Sequence, residues 1–269
     1  MDSSIYSNSK NVFLDVVNPN DYVQLDRVSM VYQSLKTSVK KPLKMILLFG
    51  KPGTGKSMLL SKLYQELSST QNVHLYQVPI LDEGEFLSNL AKDIFNIHSK
   101  PTLSFTQFLA ILEGTNNEEI PLVILDEAQL YSSAMMEKIR LISDTRKIKF
   151  LITLHKTEKE DLIAKEHFQT RIWESIEHHN ASNHELKAYI QKKLMKANCF
   201  DTANMFPTKS VNAIHKLTKG NYRETNKLLY TLFEIYEWYA QNNASKINSN
   251  SVSHKIIEMS AIQIGLIDA

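Results

Sequence analysis

Cysteine is almost missing from this chain. Cys199 is the only one in 269 residues, so no disulfide can form within it, and a reducing, cytoplasmic setting is the simplest expectation. Long apolar runs are missing as well. None approaches the roughly 18 residues that a spanning helix needs, so a membrane role would have to come through a partner. Residues 1–10 are polar and rich in Ser and Asn. They lack a charged segment followed by an apolar one, and so do not read as a secretory leader. Neither sign of charge is in excess: 31 Lys and Arg against 29 Asp and Glu leave +2, which neither demands nor excludes a nucleic-acid partner. Glycine is scarce, at seven residues, which makes it informative that three of them fall at 50, 53 and 55. With 43% hydrophobic residues there is material for a sizeable core, as one large domain or as one domain with a smaller attachment.

Apolar periodicity divides the chain into three. Residues 1–20 are expected to be a loosely ordered, flexible lead-in. From 21 to 179, short apolar runs alternate with helical patterns. Residues 22–39 carry Leu25, Val28, Val31, Tyr32, Leu35 and Val39 at helical spacing. Strands are expected over 44–49, 73–78, 120–125 and 148–154, with a short fifth over 171–176, and helices over 58–67, 83–97, 104–113 and 132–143. Such alternation indicates βαβ units and a parallel sheet covered on both faces. From 180 onward the pattern is helical only. Ser182 with Glu185 forms a capping-box signature. Val211, Ile214 and Leu217 mark a second helix stopped at Gly220, and Leu228 to Tyr239 a third. Residues 241–252 read as a loop and 253–265 as a last helix. The expected fold is therefore an α/β core with a small all-helical C-terminal domain.

The strongest motif is Gly50-Lys51-Pro52-Gly53-Thr54-Gly55-Lys56-Ser57, which matches G-x-x-x-x-G-K-[ST] between an apolar strand and a helix that continues through Met58. Glycines let such a loop turn its N–H groups around phosphates, and the following helix offers its positive N-terminus to the same charge. Lys56 is placed for the β- and γ-phosphates, and the Ser57 hydroxyl for Mg2+. About 70 residues on, Leu122-Val123-Ile124-Leu125 ends in Asp126-Glu127. Ligands of open parallel sheets bind at the carboxyl ends of strands. That places Asp126 beside the Mg2+, and Glu127 as the general base that orients the attacking water. Two acids closing a surface strand is the plain alternative.

These two motifs, with Asp126-Glu127-Ala128-Gln129, resemble the AAA+ superfamily of P-loop NTPases, and more narrowly the ExeA/GspA-type ATPases (general secretion pathway protein A) and related transposition helper ATPases. The resemblance runs over about residues 22–240. Lys149-Phe150-Leu151-Ile152-Thr153-Leu154 followed by Phe168-Gln169-Thr170-Arg171-Ile172 is similar to that family's fourth strand and "QRI" segment. Glu185-Leu186-Lys187-Ala188-Tyr189-Ile190 and Gly220-Asn221-Tyr222-Arg223-Glu224-Thr225-Asn226 resemble its lid motifs. The resemblance implies ATP as the nucleotide, Arg223 as a lid arginine reaching the γ-phosphate, and Arg171 as an arginine finger acting across a subunit interface. It also implies a sensor residue, either Thr153 or His155, and assembly with copies of itself or with a partner protein, a membrane-bound one included. Thr153-Leu154-His155-Lys156 departs from the family's usual V-G-Q-P, and Tyr222 stands where the family usually has proline. The resemblance leaves open a DNA-associated helper ATPase, a slow nucleotide switch and, more distantly, a metabolite kinase.

Weaker features have plain readings. His178, His179 and His184 lack a carboxylate or cysteine partner at metal-binding spacing, and a solvated surface is expected. Lys36, Lys40, Lys41 and Lys44, and Lys187, Lys192, Lys193 and Lys196, are expected to be solvated helix faces before they are phosphate contacts. Trp173 and Trp238 are expected to pack in the core.

Overall fold

The computed structural model describes residues 5–99, 101–115, 119–155, 157 and 171–268. In chain order its helices and strands are α1 (Ile5–Asn11), α2 (Asp26–Lys40), β1 (Met45–Phe49), α3 (Lys56–Leu67), β2 (Val73–Tyr76), α4 (Glu83–Phe95), α5 (Phe105–Gly114), β3 (Leu122–Leu125), α6 (Ser133–Asp144), β4 (Lys149–Leu154), β5 (Ile172–Glu177), α7 (Asn183–Lys196), α8 (Phe200–Ala203), α9 (Thr208–Thr218), α10 (Tyr222–Asn242) and α11 (His254–Gln263). They fall into two compact units. One comprises Met30–Pro52 and Lys56–His178; the other comprises Met1–Ser29, Gly53–Gly55 and His179–Ala269.

The first unit is built on a parallel five-stranded sheet of order β2-β3-β4-β1-β5. The central strands Met-Ile-Leu-Leu-Phe (β1), Leu-Val-Ile-Leu (β3) and Lys-Phe-Leu-Ile-Thr-Leu (β4) are buried at every position. Continuous apolar runs rather than alternating ones are what a parallel sheet with two covered faces requires. Phe86, Phe108 and Phe150 are fully buried in the main core cluster, each worth about 1.5–3 kcal/mol relative to exposure. Lys149 is carried into this interior at the start of β4, where burial lowers its pKa. Its ammonium donates to the Val39 and Lys41 carbonyls at 2.6 Å each.

Edge strand β5 alternates instead. The register against β1 jumps from Met45↔Ile172 to Ile46↔Glu174, so Trp173 is the extra residue of a bulge. It points outward and is 74% exposed, which corrects the expectation that it packs in the core.

The second unit packs α7, α9, α10 and α11 around Leu186, Ile190, Leu194, Val211, Leu229 and Phe233. The capping box is present: the Ser182 hydroxyl accepts from the Glu185 amide, and the Glu185 carboxylate accepts from the Ser182 amide at 2.8 Å. Gly220 closes the stop after α9 at φ +71°, with Lys219 also left-handed. The short helix α8 has no periodicity of its own and was not expected. Trp238 lies two residues from the fully buried Tyr236, about 200° around the helix, and is exposed, a second correction to the expected core packing.

The larger correction concerns the lead-in. Residues 5–11 form α1, and Tyr6, Ser9 and Phe13 are buried in this unit's core. Tyr6 packs on Tyr236 with ring centroids 5.2 Å apart, and Phe13 stacks on Phe233 at 5.9 Å. The Ser9 and Thr202 hydroxyls meet at 2.7 Å, and Lys10 pairs with Glu237 at 2.7 Å. A stripe at i, i+3 and i+7 suffices to fold a segment whose composition reads as disordered. His178 also departs from expectation: it is 4% exposed, and its amide donates to the Phe49 carbonyl at 2.8 Å, whereas His179 and His184 are exposed. Among the described residues no group of His, Cys, Asp and Glu is arranged to hold a metal by itself, and no helix is long and apolar enough to cross a membrane.

Two predictions test this packing. A Cβ on Gly220 would lie 2.0 Å from the Ala181 carbonyl oxygen, at a left-handed φ that alone costs about 1–2 kcal/mol. Gly220→Ala is expected to destabilise the helical unit by about 2 kcal/mol or more, read from urea unfolding. Glu185→Ala is expected to cost about 1 kcal/mol at neutral pH through the lost cap. Burial pushes the Glu185 carboxyl up, but the Ser182 hydrogen bonds and Arg27 outweigh it and leave the pKa below the ordinary 4.5. Its stabilisation is therefore complete above 4.5 and lost as pH falls through the folded-state value, so wild type and variant should converge in acid.

Candidate functional site

The loop after β1 begins where the sheet ends. The Gly50 amide donates to the carbonyl of Leu154, the last residue of β4, at 3.3 Å. Gly53 and Gly55 have φ of +75° and +95°, which glycine adopts freely. Lys56 opens α3 and is 6% exposed; its ammonium donates to the Gly50 carbonyl at 3.0 Å and to the Lys51 carbonyl at 3.2 Å. That folds the charge into the loop. Ser57 and Met58 follow on the first turn of α3, half-buried, and Thr54 is buried.

β4 lies between β1 and β3 in the sheet, so the carboxyl ends of all three strands are neighbours. Asp126 is 3% exposed, and its amide donates to the Tyr76 carbonyl at the end of β2. Its Oδ1 accepts from the Thr153 hydroxyl at 2.5 Å and from the Glu127 amide at 3.0 Å. The Glu127 amide also reaches Thr153 Oγ1 at 2.9 Å. One buried hydroxyl thus braces both acids. Glu127 itself is left-handed, at φ 53° and ψ 41°, a conformation a β-carbon disfavours. The turn directs the two adjacent carboxylates differently: Asp126 stays buried and braced, while the Glu127 side chain remains about one-third exposed. At Glu127 Oε2 stand two more side chains, Gln129, which donates through Nε2, and His155, whose Nε2 is 3.3 Å away.

Thr153 and His155, between which the sequence left the sensor role open, therefore have different partners: Thr153 holds Asp126, and His155 stands against Glu127. The sequence alone assigns Gln129 no role. Its signal was its position, two residues past an acid at a strand end.

Asp126 Oδ2 has no hydrogen bond among the described residues. A buried carboxylate with one oxygen committed, together with the Ser57 hydroxyl, is a hard-oxygen donor set that fits Mg2+, which usually takes one or two protein ligands and completes its shell with phosphates and water.

Arg171 is not brought to these residues. It precedes β5, whose start pairs with Met45 at the start of β1, so it lies at the amino end of the sheet. There Asp144 gathers Arg171 at 3.4 Å, Lys44 at 2.7 Å and Arg140 at 2.7 Å. Phe168, Gln169, Thr170 and Lys156 lie outside the described residues. Arg223 belongs to the helical unit, where its amide and that of Tyr222 donate to the Gly53 carbonyl at 3.3 and 3.1 Å. Its guanidinium Nε is 3.4 Å from Asp15 Oδ2. A Cβ on Gly53 would sit 2.3 Å from Asn221 Oδ1, so only glycine permits this approach. The lid motifs also meet one another: Tyr189 donates to Asn226 Oδ1 at 2.8 Å and packs edge-on against Tyr222.

Residues 40–163 match the protein family described as AAA domain. No curated protein matches the sequence. Among solved structures the chain is similar to Cdc6p from Pyrobaculum aerophilum, at 15% identity and a TM-score of 0.67, over 95% of this chain and 71% of that one. It is similar to Drosophila ORC bound to DNA, at 13% and 0.69, over 98% and 66%. It is also similar to the Thermotoga maritima RuvB Holliday junction branch migration motor, at 18% and 0.57, over 94% and 73%. At these identities the likeness speaks for the fold. The family match over residues 40–163 and the structural likeness agree on the fold, an AAA+-type P-loop parallel-sheet core with a helical C-terminal region.

Proposed function

We propose that this protein binds ATP with Mg2+ at Gly50–Ser57, hydrolyses it with Glu127 as the general base, and couples the cycle to assembly and to remodelling of a partner, in the manner of ExeA/GspA-type ATPases. The observation that carries this reading is the Thr153 brace. It fixes Asp126 and Glu127 in two different environments from β4, the strand that lies next to the one bearing the phosphate loop. Two neighbouring carboxylates held apart in this way suit two roles.

In this reading Ser57 and Asp126 hold the Mg2+, which offsets charge on the phosphates. Lys56, kept within the loop by two carbonyls, neutralises charge on the β- and γ-phosphates. Glu127 takes a proton from the attacking water. Arg223 reaches the γ-phosphate from the segment whose amides bind Gly53. Arg171 serves a neighbouring subunit's site, leaving Asp144 to do so.

A DNA-associated helper ATPase is the second reading, favoured by the lysines of α7. Lys36, Lys41 and Lys44 are each paired with a carboxylate. Lys187, Lys192 and Lys196 instead bond a hydroxyl or carbonyls, so their positive charge is not neutralised by those contacts. The solved structures of similar fold include Drosophila ORC bound to DNA. DNA binding that strengthens with ATP and weakens steeply with salt would establish this reading.

ATP hydrolysis measured against protein concentration tests the proposal. Specific activity is expected to rise with concentration, and Glu127→Gln to lower kcat by about 10²–10⁴-fold while ATP still binds. Lys56→Ala is expected to weaken ATP binding by about 10–100-fold, the worth of a lost charge-assisted bond. Activity that is flat with concentration would remove the trans role of Arg171. Tight binding without turnover would leave a nucleotide switch.

A further inference from the structure

Two side chains converge on one carboxylate oxygen. Gln129 Nε2 donates to Glu127 Oε2, His155 Nε2 lies 3.3 Å from the same atom, and the two nitrogens are 3.5 Å apart. The amide orientation follows from charge, because turned over it would set a carbonyl oxygen against a carboxylate. Gln129 Oε1 is buried and has no hydrogen bond among the described residues. The polar contacts of this side chain therefore lie on its nitrogen side, toward Glu127 and His155. A residue that merely tied the turn together would use both ends of its amide. Glu127 Oε1, in turn, has no hydrogen-bond partner among the described residues.

We propose that Gln129, seconded by His155, is a positioning residue for hydrolysis: it clamps Oε2 of Glu127 and thereby presents Oε1 to the attacking water. The proposal rests on Glu127 being the base. In the step it serves, Glu127 Oε1 takes one hydrogen of the water as a proton, and the water oxygen forms the new bond to the γ-phosphorus. The bridging P–O bond breaks, with its electron pair leaving on ADP. The second hydrogen stays on the oxygen that becomes part of inorganic phosphate. Without the clamp the Glu127 carboxylate can rotate about its side-chain bonds, and the near-attack arrangement is populated less often.

The test is steady-state ATP hydrolysis by the full chain for wild type, Glu127→Gln, Gln129→Ala and the double variant. Protein concentrations are matched, and thermal unfolding confirms that each is folded. Gln129→Ala is expected to lower kcat by about 10–100-fold, the usual effect of removing a partner that orients an active group, with KM for ATP within about twofold. In the Glu127→Gln background the same change is expected to have no further effect, because Gln129 acts through the carboxylate that is already gone. His155→Ala is expected to give a smaller loss of the same kind. A wild type that hydrolyses ATP and needs Glu127, yet keeps its kcat in Gln129→Ala, overturns this proposal alone. So does a double variant whose losses multiply. A wild type without hydrolysis, or one indifferent to Glu127→Gln, overturns the reading of Glu127 and this proposal with it.

Discussion

The hydroxyl of Thr153 is the contact on which the candidate site depends. It gives its proton to Asp126 and receives the Glu127 amide, at 2.5 and 2.9 Å in a fully buried position. Everything else follows from keeping that geometry. β4 must lie directly beside β3, with Ile152 opposite Leu125, so that the next residue on each strand can meet. The apolar runs of both strands must be covered on both faces, or the hydroxyl would exchange its partners for water. And Glu127 must accept a left-handed backbone, a local cost that the surrounding bonds hold in place.

The α/β alternation, the five strands and the motif-bearing loop ends were legible because continuous apolar runs and a spaced glycine loop are strong local signals. Boundaries moved by a few residues, most at α2, which begins at Asp26 rather than 22. Three features were not legible. Trp173 is thrown outward by a bulge, and a bulge is a property of the pairing with β1, which no single strand announces. Trp238 is hydrophobic by type but sits on the wrong side of its helix from Tyr236. The α1 segment hides its buried stripe in Ser and Asn. At the site, the pairing of Asp126 with Thr153 and of Glu127 with His155 and Gln129 depends on which strand neighbours which, and that order is fixed by long-range packing.

In the α/β unit three of the four lysines before β1 are opposed by carboxylates. The lysines before β1 and the arginine before β5 converge on Glu66, Glu174 and Asp144. Exposed pairs of this kind contribute little to stability singly, roughly 0–1 kcal/mol. Their larger effect is to cancel a basic patch that the sequence alone displays. In the helical unit Lys193 is treated differently: it lies over the Phe13 and Tyr189 rings, and burial depresses its pKa to about 8.

The contacts of α1 have a consequence for the order of folding. The Ser9 hydroxyl meets a partner 193 residues away, and Lys10 one 227 residues away. Residues that leave the ribosome early must therefore wait for α10 before Tyr6 and Phe13 find their aromatic partners. Closing so long a loop is entropically costly and slow. The helical unit cannot complete its core until α10 and α11 have been made, whereas every strand of the sheet has by then emerged. Synthesis thus imposes an order on the two units, with the sheet able to form first and the helical unit sealed last by α1.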